Sequence, residues 1–250
     1  MADRRQLTAD RAFVYAVDMC GRFALKTPDV TLAAQFGATL LESFEPRYNI
    51  PPGGPISVVR VEKGKRILKQ DHWGLLPFWA KDRSFAAKTF NARAETVAEK
   101  PSFKKAFLAR RCLIPVDGYF EWQKPGPSAP ETRAPDDKGS GKVPFYFTLQ
   151  TGEAFALAGL WETWKDPATG KSVESCTILT TSANELVAPV HDRMPVILDL
   201  EAQARWLDPA NQYPTDLQSL LKPFDPKLMA LRKVSPKVNS PQNTGVDILD

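Results

Sequence analysis

Twenty-two prolines in 250 residues keep every regular element short, because each proline removes a backbone donor and fixes φ near −65°. What lies between them reads mostly as strand. The runs PISVVRV (55–61), RCLIPV (111–116), PFYFTL (144–149), FALAGLW (155–161) and CTILTT (176–181) are rich in β-branched and aromatic residues and bounded by Gly or Pro. Helix signals are fewer. Thr27 as N-cap, Pro28 at the first helical position and Gly37 just past the end predict a helix of about ten residues. A second is expected from Pro101, where Phe103, Ala106, Phe107 and Arg110 recur at helical spacing. Three more short helices are predicted at Ser182 to Ala188, Asp199 to Trp206 and Pro214 to Leu221. Strands come in groups rather than alternating with helices, which predicts an α+β fold with a curved, mainly antiparallel sheet or barrel-like core and flanking short helices. A βαβ dinucleotide fold is disfavoured.

With 43% apolar and 25% charged residues the chain can bury an ordinary globular core. No stretch reaches the roughly 18 apolar residues of a membrane span, and the N-terminal segment lacks the apolar region of a secretory signal. Neither export nor a membrane partner is expected. Three widely spaced cysteines cannot make a disulfide framework, which fits a cytoplasmic protein. A net charge of +4 permits a polyanionic ligand without demanding one. Residues 1–18 balance three Arg against three Asp and read as a leader outside the functional protein. A single domain is expected over 20–238, followed by a tail at 239–250. Residues 124–142, with four prolines, three glycines and no large apolar side chain, read as a flexible surface loop inserted within that domain.

No GxGxxG, Walker A, CxxC, HExxH or EF-hand pattern occurs, so no cofactor and no metal is expected. Only two histidines are present. His72, in QDHWGLLPFW, reads as a structural residue on a strand edge. His191, in VHDRMPVIL, sits where a polar quartet interrupts two apolar runs at the mouth of a strand, with Arg193 two residues on. In FNARAET, residues Asn91, Arg93 and Glu95 alternate and share one face of an extended chain. Glu121 lies between Phe120 and Trp122. There it is either partly desolvated, with the raised pKa useful to a general acid, or simply outward-facing on an alternating strand. RYNIPPGGP is a rigid turn, either a ligand surface or a mere connection. Phe78 and Trp79 make either a stacking platform for bases or core. Met19-Cys20-Gly21-Arg22-Phe23 carries the most specific chemistry. Excision up to Met19 leaves Cys20 as a terminal 1,2-aminothiol, whose amine (about 7.7–8.0) and thiol (about 8.5) are both partly deprotonated near neutral pH. An aldehyde condenses with the amine to an imine, and the thiolate then closes a thiazolidine ring. Cys112 and Cys176, in apolar strand-like runs, are poor nucleophiles by comparison. Read on its own, Cys20 can equally be a small buried internal residue.

Seven segments occur together and in order: MCGRF (19–23), RYNIPP (47–52), WGLLPFWAKD (73–82), FNARAET (90–96), FKKAFLARRCLIPVDGYFEW (103–122), FALAGLWETW (155–164) and HDRMPVIL (191–198). In these the chain closely resembles the SOS response-associated peptidase (SRAP) family of abasic-site processing proteins, from Cys20 to about Val238. The resemblance implies a single α+β domain, without cofactor, that binds single-stranded DNA. It further implies capture of an abasic site by a covalent thiazolidine between the N-terminal Cys20 and the ring-opened sugar aldehyde. Carried over by position, Asn91 holds the sugar, Glu121 assists imine formation and ring closure, and His191 contacts the sugar and promotes proton transfer. Arg22, Arg93 and Arg193 grip phosphates, while Pro52 and Trp79 form the wedge and stacking surface beside the lesion. The expected partner is single-stranded DNA containing abasic sites, met by a monomer in the cytoplasm or on the nucleoid. Two features depart from the family pattern: the 18 residues before Met19, and the long loop at 124–142. The main rival is a cysteine (auto)peptidase using Cys20 with His191 as base and Asn91 or Glu121 as orienter. An N-terminal-cysteine amidotransferase is disfavoured by Arg22 after Cys-Gly and by the lack of a synthetase domain. A non-enzymatic DNA-binding module is a fourth possibility.

Overall fold

The computed structural model describes residues 20–124 and 142–250. The leader and nearly all of the proline-rich loop therefore lie outside the described residues. Two sheets carry the molecule. The first is antiparallel and is assembled from β1 (Phe23–Leu25), β3 (Arg47–Ile50), β8 (Gly118–Gln123), β9 (Val143–Leu149) and β14 (Met229–Lys233), in the order β14-β9-β8-β1-β3. The second contains β2 (Thr39–Leu40), β4 (Pro55–Glu62), β5 (Lys65–Trp73), β7 (Arg111–Val116), β10 (Phe155–Lys165), β11 (Ser172–Ser182) and β12 (Arg193–Pro195), in the order β12-β11-β10-β7-β4-β5-β2. Two short strands join it laterally: β6 (Asn91–Arg93) on β11 and β13 (Ile197–Leu198) on β10. A further parallel pairing, Ser175 with His72 and Cys176 with Trp73, links β11 back to β5. The ring β5-β4-β7-β10-β11 is thereby closed into a barrel, which removes its open edges. The predicted α+β class with mainly antiparallel curved sheets is what forms.

Local chemistry explains the tight connections. Strands β4 and β5 meet through the two-residue turn Lys63-Gly64, where Glu62 pairs Lys65 and both central residues have positive φ (48° and 76°), the geometry that matches strand twist. The core is mostly apolar, and two of its buried tryptophans satisfy their indole donors on backbone: Trp73 Nε1 on Phe90 O at 2.8 Å and Trp206 Nε1 on Cys112 O at 3.0 Å. One charged cluster is enclosed with them. Arg60, 1% exposed, donates to Asp71 at 2.9 Å, also meets Glu62 and Glu174, and stacks on Trp161 at 3.9 Å. Among the described residues no helix is long and apolar enough to cross a membrane.

Several expectations are corrected. The helix from Pro28 runs over Asp29–Gln35 and that from Pro101 over Lys104–Ala109, both shorter than their patterns suggest. Leu200–Leu207 and Pro214–Ser219 are helical as predicted, but Ser182 to Ala188 is not. Ser182 ends β11, and the Asn184 side chain accepts from the backbone N–H of Leu186 (3.1 Å) and Val187 (3.0 Å), so residues 185–190 form turns. Asparagine competing with the backbone and Pro189 next to Ala188 are the physical reasons. His72 is not on an edge, since β5 is paired on both sides there, with Pro55 and with Ser175. The segment 239–250 is not a loose tail. Ile248 and Leu249 are buried with Ala24, Phe120 and Tyr146 against the outer face of β8.

That face explains Gly118. A Cβ there would lie 2.5 Å from Phe147 O and 2.5 Å from the Tyr146 ring. Gly118→Ala should therefore destabilise the fold by about 1–3 kcal/mol, read as a lower denaturant midpoint at unchanged slope.

Candidate active site

The site forms where the first sheet meets the flank of β11. On the first sheet, β1 and β8 pair antiparallel with Phe23 opposite Tyr119, and Phe120 N donates to Arg22 O at 2.9 Å. Cys20 precedes this strand in a bend, and its thiol shares a hydrogen bond with the Glu121 side chain. From the other sheet, β11 holds β6 on one side, with Ile178 opposite Asn91 and Thr180 opposite Arg93. It holds β12 on the other, with Ser182 opposite Arg193. The turns at 185–190 then deliver His191.

Hydrogen bonds tie these parts to one residue. Asn91 Nδ2 donates to Cys20 O at 2.8 Å, and the Cys20 thiol points at Arg193 O, with Sγ 3.8 Å away. The Arg193 N–H donates to His191 Nδ1 at 3.0 Å. The same Nδ1 lies 3.2 Å from Arg193 O, so in one neutral tautomer it accepts from the Arg193 N–H and in the other it donates to the Arg193 carbonyl. Cys20, Asn91 and Glu121 are 5%, 6% and 3% exposed. Burial pushes the Cys20 thiol well above its usual range, and the Glu121 charge adds to that push, with Arg193 opposing it. Burial also lifts Glu121, to about 7, against the pull of His191 and a hydrogen bond with Cys20. Of the two readings of Glu121 the outward-facing one is excluded, because Glu121 is itself buried and the next residue on its face, Tyr119, packs in the main core. A buried carboxyl that titrates near neutrality can both give and take a proton at working pH. Asn91 Oδ1 and Glu121 Oε1 are buried without a hydrogen-bond partner, so both still have acceptor capacity within the site.

The family profile described as SOS response associated peptidase (SRAP) matches residues 19–241. The chain belongs to the SRAP family. It is 39% identical over 235 residues to the abasic site processing protein YoqW of Bacillus subtilis, an alignment covering 93% of this chain and 99% of that one. It is 31% identical to the abasic site processing protein HMCES of Gallus gallus, covering 80% of this chain and 64% of the longer relative. Among solved structures, a protein from Bacteroides thetaiotaomicron superposes with a TM-score of 0.78 at 28% identity, covering 92% of this chain and 98% of that one.

In this SRAP chain the remaining candidate residues are more dispersed. Extended backbone ends at Arg93, and Glu95 lies in a 3-10 turn. Asn91, Arg93 and Glu95 therefore do not form the single continuous face expected of them: Asn91 is buried while Arg93 and Glu95 are exposed. Glu95 instead binds both terminal nitrogens of Arg193, at 2.6 and 2.9 Å, and Arg193 also donates to Thr180 O at 2.7 Å. Arg22 is tied inward. Its Nη1 donates to Asn49 Oδ1 at 2.8 Å and Val238 O at 3.0 Å, the guanidinium lies over Trp122, and burial lowers its pKa to about 10, which leaves it charged at neutral pH. Phe78 and Trp79 are exposed rather than core, at 56% and 43%. Lys105 lies over the Phe78 ring and Phe85 meets Trp79 edge-on. Pro52 is half-exposed in the turn between β3 and β4. None of Pro52, Phe78 and Trp79 is hydrogen-bonded to Cys20.

Two residues escaped the sequence reading. Asn49 is buried and donates to Ser240 O (3.0 Å) and Asn243 O (2.8 Å) while accepting from Arg22, so it pins the N-terminal strand to the C-terminal segment. The carbonyls it donates to are almost 200 residues away, and only its position between Tyr48 and Ile50 in a strand marks it. Tyr119 is the other. Its spacing from Glu121, two residues along one strand, was the available signal.

Proposed function

We propose that this chain is an abasic-site processing protein that captures the ring-opened sugar of an abasic site in single-stranded DNA through Cys20, acting as the first residue of the mature chain. The observation that carries this reading is the convergence on Cys20, next to the start of the family match at residue 19, of a proton-exchanging carboxyl (Glu121) and an amide (Asn91), with the His191 imidazole linked through Arg193. The amine of Cys20 adds to the aldehyde carbon, giving a carbinolamine. Glu121 in its acid form protonates the departing hydroxyl, water leaves, and a protonated imine remains. The sulfur then attacks that carbon, the C=N π pair moves to nitrogen, and the thiol proton returns to Glu121. One water is released and the carboxyl ends as it began. Asn91 orients Cys20 through its carbonyl, and the His191 ring moves protons at the sugar.

The peptidase reading is less well supported. A thiolate–imidazolium nucleophile requires a depressed thiol pKa, whereas burial and Glu121 raise that of Cys20. Amine-first capture tolerates a protonated thiol. Incubation of the Cys20-first protein with a single-stranded oligonucleotide containing one abasic site should give a band that is shifted on a denaturing gel and survives heating. An undamaged oligonucleotide should give none, and absence of the band with the abasic strand refutes the proposal.

Binding to undamaged single strands should be modest and fall with salt, since few cations are available to displace counterions. Arg93, exposed beside Asn91, is the clearest phosphate contact. Arg93→Ala should weaken binding and reduce the log–log salt slope by about one, leaving adduct formation at saturating DNA intact. Equal affinity of the two proteins across a salt titration contradicts this assignment.

A further inference from the structure

Tyr119 is a buried titratable group that the mechanism above does not use. It is 2% exposed, and its hydroxyl has no hydrogen-bond partner. Its ring is fixed by stacking on Phe147, with centroids 5.0 Å apart and planes 10° from parallel. Tyr119 and Glu121 are two residues apart on β8, so their side chains leave the same face of the strand from Cα atoms about 6.6 Å apart. Phe120 and Trp122 leave the opposite face, toward Ala24 and Val238. The phenol is close enough to both Cys20 and Glu121 to feel their charges, and it hydrogen-bonds neither in this structure. The charges of both raise the Tyr119 pKa further, beyond what burial does. The phenol therefore keeps its proton and is a donor only to acceptors near it.

We infer that Tyr119 is a positioning residue of this site, its hydroxyl donating to whichever member of the Cys20–Glu121 pair carries negative charge. This rests on the capture reading given above. During ring closure the thiol proton passes to the Glu121 carboxylate, so one unit of negative charge moves between sulfur and carboxylate while neither is exposed to water. The other charged and titratable groups facing Glu121 are His191 and Asp192, from the segment before β12, and Lys142, from the lead-in to β9, with Arg193 facing Cys20. Each is tied to a different element, and Tyr119 is the titratable group on the strand face of Glu121. An unpartnered buried hydroxyl is unfavourable in the resting protein, and it is retained at the position where a donor stabilises the migrating charge.

Tyr119→Phe removes one oxygen and keeps the stacked ring. Its effect should appear in a pH profile of adduct formation. Capture requires a neutral amine and an acidic Glu121, so the rate falls at high pH as Glu121 ionises. Loss of a donor to the carboxylate raises the pKa of Glu121, and the alkaline limb should move upward by about one unit, the size of a hydrogen bond to a charged group. The maximal rate should fall about tenfold. An unmoved limb overturns the inference, whether the rate is unchanged or is lowered together with thermal stability. Carbon NMR of the Glu121 carboxyl, read with no DNA present, separates this inference from the capture reading. A midpoint that rises in the Tyr119→Phe protein supports the donor role even if the parent protein forms no adduct, and an unchanged midpoint refutes it even if the adduct forms.

Discussion

A chain that begins at residue 20 and carries Cys20→Ala should form no heat-stable adduct with abasic single-stranded DNA, a loss of signal to background. Alanine keeps the terminal amine, so the imine still forms. It has no sulfur to close the ring, and an imine reverts in water. Borohydride should therefore trap a band that is absent without reductant. The complementary protein retains Met19 and everything before it, with Cys20 unchanged. There the nitrogen of Cys20 is an amide, neither basic nor nucleophilic, and adduct should again be lost although the thiol is present. A full-length chain that forms the heat-stable adduct defeats both the thiazolidine mechanism and the requirement that Cys20 be first. Cys112 and Cys176 offer no substitute, because both are wholly buried and their thiols are raised well above the usual range by burial.

Glu121→Gln should slow adduct formation by about 10²- to 10⁴-fold, the usual contribution of a positioned general acid, without abolishing it, since both new bonds come from Cys20. The alkaline limb near the Glu121 pKa of about 7 should disappear from the profile, leaving only the rise with amine deprotonation. Stability should change in the opposite sense to activity. A carboxyl whose folded pKa lies above its unfolded value of 4.5 binds its proton more tightly when folded, so folding weakens as pH rises from about 4.5 through 7. Glutamine carries no such charge. The variant should melt higher than the parent at pH 8 and lose that advantage below pH 4.5. Equal melting temperatures at both values, or an unchanged rate, contradict the assignment of Glu121 as a buried proton donor.

Much of this molecule was determined by the sequence alone. Short apolar runs between prolines were enough for the α+β class, because a chain so punctuated cannot build long helices. The polar residues set among those runs, Asn91, Glu121 and His191, were already anomalous, since a carboxylate or amide flanked by large apolar side chains is either exposed by alternation or buried for a reason. Which of the two held was beyond periodicity. Glu121 is buried because its face of β8, shared with Tyr119, packs on the main core, while the opposite face, with Phe120, is covered by Ile248 and Leu249 from a C-terminal segment that reads as a tail in sequence. The pairing of Arg193 with Glu95, 98 residues apart, and the anchoring of Arg22 by Asn49 and Val238 were likewise decided by strands brought together across the sheets. So was the enclosed Arg60–Asp71 pair. Local sequence reports which side chains are out of place on a strand; it does not report which strand arrives beside them, because sheet pairing is set by burial summed over the whole chain.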